Sequence, residues 1–277
     1  MTDQIITLPL TCFDSEYTKP KHIPLDMGDV VVFSSRSPAK TTVNEDALAV
    51  IPVNDSTLVL VVADGVGGFP AGETASRITI ETLVNSIRCI NNEETHIRGT
   101  ILDGIEQANE KILDLKNGSA TTVVVTVIQD NILRAYHAGD STIMLMENRG
   151  KIKYQTVPHS PTGYALESGL IDQSEAMQHE ERHLISNFIG SSDMRVEIGP
   201  SVKLAQRDTL ILASDGLSDN LYDHEIVATS RKGILTRAAN KLMAECKNYM
   251  VSPHGDRICH PDDLTFVLFR LRCKKHS

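Results

Sequence analysis

Apolar residues along this chain fall into two periods, and the switching between them sets out the elements. Runs rich in β-branched residues, several alternating with period two, occur at Val30 to Phe33, Leu48 to Ile51, Leu58 to Ala63, Thr121 to Ile128, Ile132 to Ala138, Thr142 to Met146, Leu210 to Ala213 and Leu264 to Leu271, and predict strands. Asp130-Asn131 and Asn148-Arg149-Gly150 are turn signals between such runs, which favours antiparallel hairpins over a repeated β-α-β pattern. Elsewhere the period lengthens. Ile80, Leu83, Val84 and Ile87 recur at i, i+3, i+4 and i+7, and Ile101, Ile105, Ala108 and Ile112 at similar spacing, so each set predicts a helix with one buried face. A third helix is predicted from Ile234 to Tyr249, with Leu235, Ala238, Ala239, Leu242 and Cys246 on its inner stripe. Strands and helices in separate blocks predict an α+β fold, a four-layer α-β-β-α sandwich of two antiparallel sheets flanked by helices.

The 277 residues, 41% of them apolar, suffice for one domain over 1–277 with a substantial core. Only 158–195 breaks the pattern. It is polar, rich in His and Glu, carries short helical signals such as Ser174-Glu-Ala-Met, and reads as a flap insertion beside a functional cleft. Residues 1–28 fit either an edge strand with a loop or a docking segment.

Charge and composition then narrow the function. A net charge of -9, with 4% aromatics and no Trp, argues against nucleic acid as a partner, because phosphate neutralisation and base stacking lack their side chains. Five cysteines are odd in number, widely spaced and without a Cys-x-x-Cys pair, so they read as reduced thiols rather than a disulfide framework or zinc site. The N-terminus has no basic leader and no eighteen apolar residues run together, which leads to the expectation of a cytoplasmic monomer with no membrane partner.

The candidate chemistry lies at strand ends. Asp64 follows the run from Leu58, Asp140 that from Leu133, Asp215 that from Leu210, and Asp262 precedes the run from Leu264; Asp219 stands four residues after Asp215, on the same side of one helical turn. Each Asp taken alone is more often a turn or cap residue. Together they call for a countercharge, since two carboxylates about 4 Å apart repel by roughly 4 kcal/mol at an effective dielectric of 20. Oxygen ligands without a spaced His or Cys set select Mg²⁺ or Mn²⁺, and the Gly65 carbonyl, in a glycine-rich turn, can join them. Two such ions sharing a carboxylate can activate a water and clamp a phosphoryl group, which points to phosphate-ester hydrolysis.

Asn44-Glu-Asp, Asp64-Gly-Val-Gly-Gly, Ser119-Ala-Thr-Thr, Gly139-Asp-Ser, Ala213-Ser-Asp-Gly-Leu-Ser-Asp and Pro261-Asp-Asp-Leu-Thr, in this order, resemble the motif series of the metal-dependent protein phosphatase 2C family, in its bacterial-type branch. The resemblance implies hydrolysis of phosphoserine and phosphothreonine in a phosphoprotein substrate by a metal-bridging hydroxide, without a phosphoenzyme. It implies that Asp64 bridges two Mn²⁺ or Mg²⁺ ions, the Gly65 carbonyl binds the second, Asp215 and Asp262 complete the first, and Asp140 and Asp219, with Asp215, hold a third, weaker ion. Glu45 and Asp46 match residues that act through metal-held waters or by positioning ligands, and Asp263 stands where many relatives have Asn. Thr41 and Thr142 occupy places where relatives carry phosphate-binding arginines, leaving Lys40, Arg36 or Arg77 as replacements. Val66 fills the place of a proton-donating His, for which a metal-bound water, His159 or His260 are stand-ins. The alternative is a pseudophosphatase or phosphoprotein-binding regulator that keeps the fold without turnover; a weaker one is a structural cation-binding module.

Overall fold

The β-branched runs pair into two antiparallel sheets. The computed structural model describes residues 9–66, 71–90, 97–252 and 258–272. In chain order the elements are β1 (Leu10–Phe13), β2 (Lys21–Pro24), β3 (Gly28–Ser35), β4 (Ala47–Asn54), β5 (Thr57–Ala63), α1 (Gly72–Arg88), α2 (Ile97–Asp114), β6 (Val123–Gln129), β7 (Ile132–Ala138), β8 (Thr142–Met146) and β9 (Ile152–Gln155). There follow α3 (Pro161–Glu167), α4 (Gln173–Gln178), β10 (Glu197–Ile198), β11 (Val202–Lys203), β12 (Thr209–Ala213), α5 (Asp215–Ser218), α6 (Asp223–Ser230), α7 (Leu235–Val251) and β13 (Leu264–Leu271). One sheet runs β1-β4-β5-β6-β7-β10, with β11 also on β7, and the other β2-β3-β13-β12-β8-β9.

Side-chain alternation explains the layering. Along β5, Leu58, Leu60 and Val62 meet Leu210, Leu212, Val267 and Phe269 between the sheets, while Val59 and Val61 face outward onto Ile80 and Leu83 of α1 and Ile101 and Ile105 of α2. Outward residues of the second sheet, including Val31, Phe33, Ile211 and Phe266, pack on Leu235, Ala239, Leu242 and Cys246 of α7. The result is the expected α-β-β-α sandwich. The β6–β7 turn has φ 50° at Asp130 and 62° at Asn131, the paired positive angles that a two-residue hairpin requires. All eight predicted strands and three predicted helices are present, with ends displaced by a few residues.

The segment 1–28 contributes edge strands, β1 to one sheet and β2 to the other, while its first eight residues lie outside the described part. Within 158–195, α3 starts on a Ser160 cap with Pro161 in its first turn, and α4 carries a capping box of Asp172 and Glu175. The base of this segment is tied down: Ile189 exchanges backbone hydrogen bonds with Thr121, and the Gly190 N–H donates to Asn109. Among the described residues, no helix is long and apolar enough to cross a membrane.

Candidate metal centre

Strand register carries the aspartates to one end of the sandwich. Ala47 pairs with Ala63, Val123 with Ala138, Thr142 with Ala213, Ala213 with Phe266 and Leu264 with Ser35. Asp46, Asp64, Asp140, Asp215, Asp262 and Asp263, each just beyond one of these strand ends, therefore converge although they are spread over more than 200 residues of chain.

Backbone and hydroxyl hydrogen bonds fix them. The Asp64 carbonyl accepts from the Thr122 N–H at 2.8 Å and the Thr121 hydroxyl at 2.7 Å, and its Oδ2 receives the Asp215 N–H from the opposite sheet at 3.4 Å. Gly65 permits the close approach behind this turn, since a Cβ there would lie 2.6 Å from the Gly72 carbonyl carbon and 2.9 Å from Glu45 Cβ. Gly67 and Gly68, the remainder of the glycine-rich motif, lie outside the described residues. Ser214 Oγ donates to Asp46 Oδ2 at 2.9 Å, a second bond between the sheets. In the single turn of α5 the Asp219 N–H donates to the Asp215 carbonyl, so these carboxylates share one wall of a cavity of about 110 Å³ with Asp140 and Thr142.

Asp263 is used differently. Buried at 3% exposure, it accepts the Ser37 N–H at 2.7 Å, the Glu45 N–H at 2.8 Å and Lys40 Nζ at 2.9 Å; the same ammonium sits 2.5 Å from Glu45. Burial works against the Lys40 charge, but the bonds to Glu45 and Asp263 more than reverse this and raise its pKa. Lys40 thus binds the Asn44-Glu-Asp loop to the start of β13.

Electrostatically the cluster is short of positive charge. Burial, then the charge of Asp219, pushes Asp215 up to about 7; burial, then Asp262, does the same to Asp219, and burial, then Asp215, to Asp262. Asp64, Asp140 and Asp46 are also raised, first by burial and then by neighbouring carboxylates. Lys40 acts favourably on Asp215 and Asp262, and Arg182 on Asp215 and Asp219. Asp46 Oδ1 and Asp140 Oδ1 are buried and receive no hydrogen bond among the described residues. Oxygens gathered without donors, in a desolvated and charge-deficient cleft, fit hard divalent cations, which demand oxygen ligands and bring the missing charge.

The expected cations and histidines have other partners. Arg36 is exposed and pairs with Glu16 and the Thr42 carbonyl, and Arg77 stacks on Phe13 at 4.5 Å. Thr41 is exposed, Thr142 buried in the cavity wall. His260 donates Nε2–H to the Met177 carbonyl. His159, fully buried, accepts the Gly139 N–H and the Asn187 amide on Nδ1, so its proton is on Nε2, facing Glu197 at 3.1 Å. His137 stacks on it, and His137, His159 and Glu197 offer ligand atoms within 4.8 Å of one another. A ligating imidazole uses its second nitrogen as a donor, whereas His159 Nδ1 receives a backbone N–H, so this trio is a hydrogen-bonded clasp on the Asp140 loop.

Arg182 and Ser214 were not singled out in the sequence. Ser214 lies within the Ala-Ser-Asp motif, but nothing in the spacing pairs it with Asp46. Arg182 is one cation amid the charges of Glu180-Glu-Arg-His, and only the fold turns it towards Asp219.

The chain is similar in sequence and in fold to known proteins. Residues 37–247 match the family described as Protein phosphatase 2C. The protein phosphatase PhpP of Streptococcus pneumoniae is 32% identical over 197 residues, 68% of this chain and 78% of its own. The serine/threonine phosphatase Stp1 of Staphylococcus aureus superposes with a TM-score of 0.77 at 24% identity, covering 88% of this chain and 95% of that one. The catalytic domain of the serine/threonine protein phosphatase PstP, solved in complex with 2 manganese ions, gives 0.68 at 22% identity, covering 88% and 98%.

Proposed function

The chain belongs to the protein phosphatase 2C family, and from that premise we propose that it removes phosphate from phosphoserine and phosphothreonine side chains of proteins at the aspartate cleft. As a member it is a metal-dependent serine/threonine protein phosphatase; the residue roles below are our reading. Asp64 and the Gly65 carbonyl, with Asp215 and Asp262, would hold two Mn²⁺ or Mg²⁺ ions, and Asp140 and Asp219, with Asp215, would offer a third place. Such ions, when bound, would lower the pKa of a nearby water and draw charge off the phosphoryl group, chemistry that suits direct hydrolysis without a phosphoenzyme.

The observation that carries this reading is the pair of buried oxygens, Asp46 Oδ1 and Asp140 Oδ1, that receive no donor among the described residues, within a cluster in which Asp64, Asp215, Asp219 and Asp262 are also raised in pKa. The rest of the chain holds that cluster. Ser214 and Asp46 lock the two sheets at the cleft, Lys40 secures Glu45 and Asp263, and the clasp of Glu197, His159 and Gly139 sets the Asp140 loop. Lys40 adjoins Thr41 in the chain and acts favourably on Asp215 and Asp262, and we assign it the electrostatic part of phosphate binding. The 158–195 segment forms the flap wall of a cleft within one catalytic domain. The test is release of phosphate from a phosphothreonine peptide. Wild type with Mn²⁺ turns over and falls silent with a chelator, and Asp64→Asn or Asp215→Asn abolishes turnover; undiminished activity in either variant overturns the mechanism, and a wild type that binds Mn²⁺ without turnover supports the non-hydrolysing alternative.

A further inference from the structure

The 158–195 segment brings a cation of its own to the acidic cavity. After α4 the chain makes successive turns, with the Arg182 N–H donating to the His179 carbonyl and the Leu184 N–H to that of Glu181. The Met177 carbonyl is held at 3.0 Å by His260, which anchors the segment to the loop before β13. From this mount the Arg182 side chain enters the cavity lined by Asp140, Asp215 and Asp219.

The contact it makes there is incomplete. Arg182 Nε lies 3.5 Å from Asp219 Oδ2, and Nε is shielded from solvent yet makes no hydrogen bond among the described residues. Asp140, also lining this cavity and 8% exposed, keeps Oδ1 without a donor among the described residues. One guanidinium therefore offsets the charge of Asp219 but leaves an acceptor unsatisfied. An ion pair without a formed hydrogen bond is also easily exchanged.

Resting on the metal reading above, we propose that Arg182 is a tethered cation in the Asp140, Asp215 and Asp219 cavity, holding the place of a third divalent ion and exchanging with it. A divalent ion carries twice the charge and can take oxygens from several sides, so it displaces the guanidinium when its concentration is high. Displacement frees Arg182, and with it the arm of the 158–195 segment, to meet a phosphate entering the cleft where Thr142 replaces an arginine.

The experiment is Mn²⁺ binding by calorimetry and equilibrium dialysis on the full chain, comparing wild type with Arg182→Gln and Arg182→Lys. Arg182→Gln should leave the two tighter ions unchanged and tighten the weakest by about tenfold or more, as removal of a like charge a few ångströms away implies; Arg182→Lys should stay near wild type. Adding Asp219→Asn should abolish the difference between Arg and Gln at 182, a control that also holds if Gln alone perturbs the segment. Identical weak-site affinity in wild type and Arg182→Gln, or loss of the third ion in Arg182→Gln, overturns the proposal while leaving the two-ion reading intact. Absence of any Asp64-dependent Mn²⁺ uptake by the wild type would bring down both.

Discussion

Replacing Lys40 with methionine tests how the cleft is held in the absence of ions. The ammonium lies 2.9 Å from Asp263 and 2.5 Å from Glu45, and Asp263 is 3% exposed while Lys40 keeps 28% of its side chain in water. At an effective dielectric of 20 the Lys40 and Asp263 charges attract by about 6 kcal/mol at this distance, before desolvation is subtracted. Removing one partner of a buried pair costs roughly 3–5 kcal/mol, and partial exposure of Lys40 places the loss at the lower end. A loss of about 3 kcal/mol lowers the melting temperature of a chain this size by roughly 6–12 °C. The assay is thermal unfolding in chelator at neutral pH for wild type, Lys40→Met, Asp263→Asn and the double variant. We expect the double variant to be less damaged than the sum of the singles, with a coupling of about 1–3 kcal/mol. A Lys40→Met melting temperature within about 2 °C of wild type, or additive losses, would refute the assignment of Lys40 as the clamp on Asp263.

Other consequences follow from the same contacts. Because burial and mutual repulsion raise Asp215, Asp219 and Asp262 to about 7, the metal-free fold binds more protons than the unfolded chain between their ordinary value of 3.8 and that point. Its stability should therefore fall as pH rises through this window, by up to about 1.4 kcal/mol per pH unit for each group, and Mn²⁺ should raise the melting temperature more at pH 8 than at pH 5; a Mn²⁺ shift independent of pH would contradict this. Ser214→Ala removes the donor to Asp46 and the acceptor of the Thr265 N–H, both buried, and should cost about 1–3 kcal/mol in stability and 10–100-fold in Mn²⁺ affinity, read by calorimetry. His159→Phe strips the acceptor from Gly139 and Asn187, and should destabilise the fold while leaving the pH profile of kcat unchanged in shape; loss of one limb would show that His159 transfers a proton.

The sheets were readable in the sequence because their interior strands are long and β-branched, and because both faces of the sandwich bury side chains. Edge strands β1, β2, β10 and β11, of two to four residues, are too short to show a period, and their pairing depends on the partner strand already in place. The aspartates were legible as strand ends. Their convergence needed the register, which turns Asp46 beside Ser214 across the two sheets. Charge was the least legible property: Arg36, Arg77 and Lys40 look alike along the chain, and only packing separates a guanidinium stacked on Phe13 from an ammonium between two carboxylates. Arg182 belongs with them, since its approach to Asp219 is set by α4 and the turns that follow.

The claim that divalent ions complete this aspartate cluster is tested most directly by a crystal structure grown with Mn²⁺ and read through anomalous scattering. The account predicts two strong peaks about 3.5–4 Å apart with the Asp64 carboxylate between them and Asp215 and Asp262 on one of the two. Peaks elsewhere, for example between His137, His159 and Glu197, with none at Asp64, would contradict it.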